Sequence, residues 1–129
     1  MSTNFYLKLS TEVTRDMFIN AHPLILRARP IIENHYTHHI GKSSFGWKFC
    51  FEAQYIDDQK IDSFQDWKMK ILSPFYSVYD EYDREVPKEQ FLALVDNHQN
   101  EPHSMSKEYP DYGHFTDDEG YEFTWNEFS

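Results

Sequence analysis

Lys42-Ser43-Ser44, set between Gly41 and Gly46 and followed by Trp47 and Lys48, is the stretch best equipped for chemistry. One ammonium, two hydroxyls and several backbone N–H groups at the tip of a turn can together hold an anion. The flanks supply the turn. Tyr36, His38 and Ile40 alternate with His35, Thr37 and His39, and Trp47, Phe49 and Phe51 alternate with Lys48, Cys50 and Glu52. Residues 35–52 therefore read as strand, turn and strand, with Trp47, Phe49 and Phe51 on one face. The candidate ligand-binding residues are His39, Gly41, Lys42, Ser43, Ser44, Trp47 and Lys48, the ligand class is a small phosphorylated compound, and no cofactor is called for. Gly41-Lys42-Ser43 has the ending of a Walker A loop, but Tyr36 stands where its first glycine belongs and a strand-like run follows. That pattern argues against a nucleoside triphosphatase.

Histidines offer a second chemistry. His22, His35, His38 and His39 are imidazoles of the kind that ligate zinc. Alternation puts His35 and His39 on one strand face and His38 on the other, with no cysteine nearby, so no metal site is expected. His-x-Thr occurs twice, as His35-Tyr36-Thr37 and His114-Phe115-Thr116. Two-histidine phosphoesterases use such doublets, one His as base and one as acid. The enzymatic alternative is thus cleavage of a cyclic nucleotide by His35/Thr37 and His114/Thr116. Against it, Asp111, Asp117, Asp118 and Glu119 crowd His114, and the last 29 residues hold no Arg. Those charges would repel a phosphodiester, so no catalytic residue is assigned. Cys50 has no placed partner and reads as a buried or edge thiol.

His39-Ile40-Gly41-Lys42-Ser43-Ser44, then Gly46-Trp47 and Phe49, resembles the H-I-G-K-S-S-x-G-W-x-F core of a family of small bacteriophage and prophage proteins. The first seven residues, Trp67, Asp80-Glu81-Tyr82, Pro87-Lys88-Glu89-Gln90-Phe91 and Gly120-Tyr121-Glu122-Phe123 are also similar to that family. Its members often carry a cysteine pair before the core, in the manner of a zinc clasp. Residues 8–38 here contain no cysteine, so that metal is not carried over. The resemblance implies a phage-encoded protein, and hence one working in the host cytoplasm.

Composition narrows the classes. The 129 residues are one domain by length, 1–129, and 18% of them are aromatic, so Phe, Tyr and Trp must build much of the core. A single cysteine excludes an internal disulfide and fits a reducing compartment. No basic N-terminal region precedes an apolar run, and no apolar stretch approaches the ~20 residues that cross a bilayer, so a soluble protein with no membrane partner is expected. The net charge of −10 is concentrated late, with eight acids and one Lys from Glu101 onwards. Nonspecific nucleic-acid binding is thereby excluded, because phosphate contacts need Lys and Arg. An acidic inhibitor occupying a basic host protein remains open, and a homodimer is an arrangement the chain allows.

The elements that must position these residues follow from period and punctuation. Residues 4–9 alternate as a strand, and Ser10 or Thr11 caps a helix that Pro23 ends. Residues 24–33, with Arg27 and Arg29, form an irregular connection, and Asp57-Asp58 marks a loop over 55–59. Asp62 or Ser63 caps a helix burying Phe64, Trp67, Ile71 and Leu72, ended by Pro74. A strand over 75–79 and a turn over 80–84 lead to a helix opened by Pro87 that buries Phe91, Leu92, Leu94 and Val95. Residues 97–113 read as a long loop or interaction arm, and 114–116 with 121–125 as a second hairpin around Gly120. The sum is α+β: an antiparallel sheet built from hairpins, with two to three helices packed on one face.

The expected function is non-enzymatic and directed at host defence, either sequestering a phosphorylated ligand at the 41–47 loop or inhibiting a host protein through an acidic surface. Incubation with cyclic di- and trinucleotides is accordingly expected to give no hydrolysis. Turnover abolished in both His35→Ala and His114→Ala would reverse that expectation.

Overall fold

Phe5 and Leu7, alternating with Tyr6 and Lys8, make β1 (Ser2–Leu9) of a computed structural model that describes residues 2–10, 37–110 and 113–126. β2 (His38–Ser44) and β3 (Cys50–Glu52) follow, then a hairpin of β4 (Gln54–Ile56) and β5 (Gln59–Ile61). Next come α1 (Phe64–Leu72), β6 (Tyr76–Asp80), β7 (Glu85–Val86), α2 (Lys88–His98), α3 (Met105–Glu108), β8 (His114–Thr116) and β9 (Glu122–Thr124). Seven strands form one sheet in the order β7-β6-β1-β2-β3-β9-β8. Its pairings are antiparallel except β3 with β9, which run parallel. The architecture is α+β. The helix expected over 10–23, Arg27, Arg29, His22 and His35 lie outside the described residues.

Register sorts the sheet into two faces. Phe5, Gly41, Phe51 and Phe123 form one row across four strands, with Phe115 beside Phe123. Their rings meet Phe49, Phe64 and Phe91 in an aromatic core, as in the 4.7 Å approach of Phe49 to Phe51. α1 and α2 cover this face with Phe64, Trp67, Ile71, Phe91 and Val95. The neighbouring row, Asn4, Lys42, Cys50, Glu122 and Thr116, lies on the opposite face and is almost wholly polar.

Both main helices start as their sequences dictate. The Ser63 hydroxyl accepts from Asp66 N (3.1 Å), closing the first turn of α1, and Asp66 and Lys70 oppose the helix dipole at either end. Trp67 is wholly buried and donates its indole N–H to the Glu52 carbonyl (3.0 Å). Leu72, expected to face inward, is 52% exposed, because it lies about 100° around the helix from the buried Ile71. Pro87 precedes α2, whose Phe91 and Val95 are buried while Leu92 and Leu94 are partly covered. The loop expected over 55–59 is a two-residue hairpin turn with Asp57 and Asp58 both at positive φ (50° and 63°), a geometry that suits the twist of β4 and β5. Within 97–113 the chain is less open than expected, since residues 97 and 98 finish α2 and Met105–Glu108 is α3.

The central hairpin departs most from expectation. Gly41, Lys42, Ser43 and Ser44 belong to β2 and not to the turn, which falls on Phe45 and Gly46. Gly41 serves close approach: a Cβ there would lie 2.2 Å from the Cys50 carbonyl oxygen and 2.9 Å from the Phe51 Cα. Opposite β1, the register jumps between Phe5 and Tyr6, pairing them with Gly41 and His39, so Ile40 is the extra residue of a β-bulge. The bulge shifts the phase of β2 and puts His39 on the same face as Lys42, three positions away. Trp47 does not join Phe49 and Phe51 in the core either. Residues 48 and 49 lie outside any strand, so alternation fails there, and Trp47 is only half-buried. None of the described helices is long and apolar enough to cross a membrane.

Two substitutions probe this core in urea unfolding. Gly41→Ala is expected to cost about 2 to 3 kcal/mol, because the atoms it would strike are the Cys50 and Phe51 backbone and the packed Phe49 ring. Trp67→Ala is expected to cost about 3 to 5 kcal/mol, as a large-to-small core change. A loss below about 1 kcal/mol in either would place that residue outside the structural centre.

Candidate functional site

Residues 45–49 are stapled to the segment that follows α2. Gly46, at φ 85°, turns the chain after Ser44, whose carbonyl accepts from Trp47 N (3.1 Å). His103 N donates to the Gly46 carbonyl (3.1 Å) and Lys48 N to the His103 carbonyl (2.9 Å). His98 Nδ1 donates to the Trp47 carbonyl (3.0 Å), and the Lys48 ammonium donates to the carbonyl of Gln99. These bonds hold the Trp47 ring 5.0 Å from His103 and 6.4 Å from Tyr109, the latter nearly parallel at 20°.

α3 is held over the polar face of the sheet by a buried carboxylate. Glu122, 2% exposed, accepts from the Ser104 hydroxyl and from Ser106 N (3.3 Å). Ser104 also caps α3 by accepting from Lys107 N (3.4 Å). A cleft opens between α3 and β2, β3, β8 and β9. It has two adjoining parts that share Lys42, Cys50, Met105 and Tyr109 as walls. One part, about 430 Å³, adds His114, Thr124 and Asn126, and the other, about 320 Å³, adds Ser44, Trp47 and Lys48.

Of the seven residues singled out from sequence, Lys42, Ser44, Trp47 and Lys48 meet in this cleft. Gly41 lies beneath β3, and Ser43 is buried on the opposite face of β2 from Lys42 and Ser44. His39 shares the polar face but belongs to a hydrogen-bonded cluster. Its Nδ1 donates to Glu52 Oε1 (3.2 Å), its Nε2 lies 3.0 Å from Asn4 Oδ1, and Gln54 bridges Glu52 Oε2 (2.9 Å) to the His39 carbonyl (2.7 Å). Met105, Tyr109, Thr124 and Asn126 carried no local signal in the sequence. They arrive through the parallel β3–β9 pairing and the Glu122 contacts, both of long range. Of the His114 doublet, Thr116 is exposed and pairs with Glu122, whereas Thr124 is the residue in register with His114.

Burial sets the charge state of two groups in the cleft. It pushes the Cys50 thiol up to about 12, with Glu122 adding, Lys42 opposing and Glu52 adding again, so the sulfur stays protonated near neutral pH. Burial also holds His114 below its ordinary 6.5, with Glu122 partly opposing, and its Nδ1 is covered without a hydrogen-bond partner among the described residues. No group of three His, Cys, Asp or Glu side chains placed to hold a metal gathers among the described residues. Compared with family models, curated proteins and solved structures, the chain has no match.

A pH dependence follows from His114. The unfolded chain takes up this proton at a higher pH than the native one, so stability is lost as pH falls below about 6.5. In His114→Gln that share disappears, and the difference in Tm between about pH 7.5 and about pH 5.5 should be smaller than in the wild type. An unchanged difference would mean that the imidazole is solvated in the native state.

Proposed function

We propose that this chain is a phage-encoded, non-enzymatic binding protein acting on the host from its cytoplasm, and that the cleft beneath α3 sequesters a small phosphorylated ligand. The observation that supports this is one of charge. The chain carries a net charge of −10, yet the described residues lining both parts of the cleft include Lys42 and Lys48 and no carboxylate. The nearest buried acid, Glu122, has its oxygens engaged by Ser104 and Ser106. Lys42, Ser44 and Lys48 line one part of the cleft, the Lys48 ammonium keeping two N–H donors beyond the one given to the Gln99 carbonyl, and this set suits an anion, while Trp47 and Tyr109 suit whatever flat or apolar group carries it. A protonated Cys50 supplies no nucleophile, which favours holding a ligand over transforming it.

Inhibition through one acidic face finds less support. Asp117 accepts from Phe64 N (2.7 Å) and Tyr121 N (2.8 Å), Glu119 from Gln65 (3.0 Å), and Glu108 pairs with His103 (3.2 Å). Asp117 and Glu119 thus tie the β8–β9 turn to the start of α1, and Glu108 holds His103, so these carboxylates are engaged by the fold itself.

Isothermal titration with a panel of nucleotides tests the sequestration. Lys42→Ala is expected to weaken binding about tenfold or more while changing the unfolding free energy by less than about 1 kcal/mol. If no phosphorylated compound in the panel binds the wild type, the proposal is lost.

A further inference from the structure

Resting on that proposal, we infer that the ligand is a phosphorylated aromatic heterocycle of mononucleotide size, its phosphate at the Lys48 end of the cleft and its ring at the His114 end. The two ends are continuous, since Lys42, Cys50, Met105 and Tyr109 wall both. They differ in chemistry. The Lys48 end has a second ammonium and the Ser44 hydroxyl, the charge-assisted donors that phosphate oxygens take.

At the His114 end, Lys42 faces a thioether, a thiol, an imidazole, a threonine and an asparagine. An anion there would exchange water for weaker partners than it meets at the Lys48 end. An uncharged ring loses nothing comparable. The volume of this end, about 430 Å³, falls within the roughly 300–1,000 Å³ of small-molecule sites and far exceeds what a phosphate alone would fill. One flat surface is present to receive it, since Tyr109 lines this end as well as the other. His114 adds a means of orientation. Its Nδ1 has no partner among the described residues, and a ring nitrogen or amide of the ligand would satisfy it once the imidazole turns about χ2.

The test compares ribose 5-phosphate with adenosine, guanosine, cytidine and uridine monophosphates by isothermal titration. At least one nucleotide should bind about tenfold or more tighter than ribose 5-phosphate, the scale of one base stacked on an aromatic ring. His114→Ala should remove that preference, read as the ratio of nucleotide to ribose 5-phosphate affinity. Asn126→Trp, at an exposed position that lines only the His114 end, should do the same by filling it and decides the matter if His114→Ala does not fold. If ribose 5-phosphate binds as tightly as every nucleotide, or if the preference survives both substitutions, the ring is not read here and only the phosphate proposal stands. If none of these compounds binds, both fall together.

Discussion

The absence of a side chain at Gly41 is the constraint on which the rest of the structure depends. β2 is the middle strand of seven, and β3 approaches it so closely that the Cys50 carbonyl occupies the space of a Cβ. That approach sets the register of Gly41 opposite Phe51 and Lys42 opposite Cys50. From it follow both rows: the aromatic one that α1 and α2 cover, and the polar one that ends in the cleft. A bulge at Ile40, one residue before the glycine, keeps Ile40 in the core while turning His39 outward to Glu52 and Asn4.

The two faces are stabilised by different physics. On the helix side, rings of Phe5, Phe49, Phe51, Phe91 and Phe123 pack at tilted, edge-on or stacked angles, so burial and ring geometry act together. On the other side, buried polar groups need partners, and Glu122 finds them in Ser104 and Ser106. A carboxylate without those donors would be costly to bury, so the same bonds that satisfy Glu122 also fix where α3 lies. The cleft is the space left between a helix placed by hydrogen bonds and a sheet placed by aromatic packing.

Charge separates structural acids from the site. Asp80 closes the β6–β7 turn by accepting from Tyr82 N (2.9 Å) and Arg84 N (3.0 Å), and Asp117 does similar service between β8 and β9. An acidic chain thus places carboxylates where backbone N–H groups need acceptors, while the cleft lining is left to lysine, hydroxyl and ring.

Much was legible in the sequence because it depends on near neighbours. Alternation marked β1 and the second hairpin, Ser63 and Pro87 marked the starts of α1 and α2, and helical spacing marked Phe64, Trp67, Ile71, Phe91 and Val95 as buried. The chemistry of Lys42, Ser44, Trp47 and Lys48 was also visible, as a run of residue types. What tertiary structure decided was direction and company. Whether Gly41 begins a turn or lies within a strand depends on how near another backbone comes, and β3 supplies that answer from nine residues away. Whether Trp47 is core or cleft depends on His98, Gln99 and His103, which bind its loop from about fifty residues further on. The partners of Lys42 across the cleft, Met105, Tyr109, His114 and Thr124, come from a parallel strand pairing and a buried carboxylate, and neither interaction leaves a periodic trace in sequence because its two halves lie far apart along the chain.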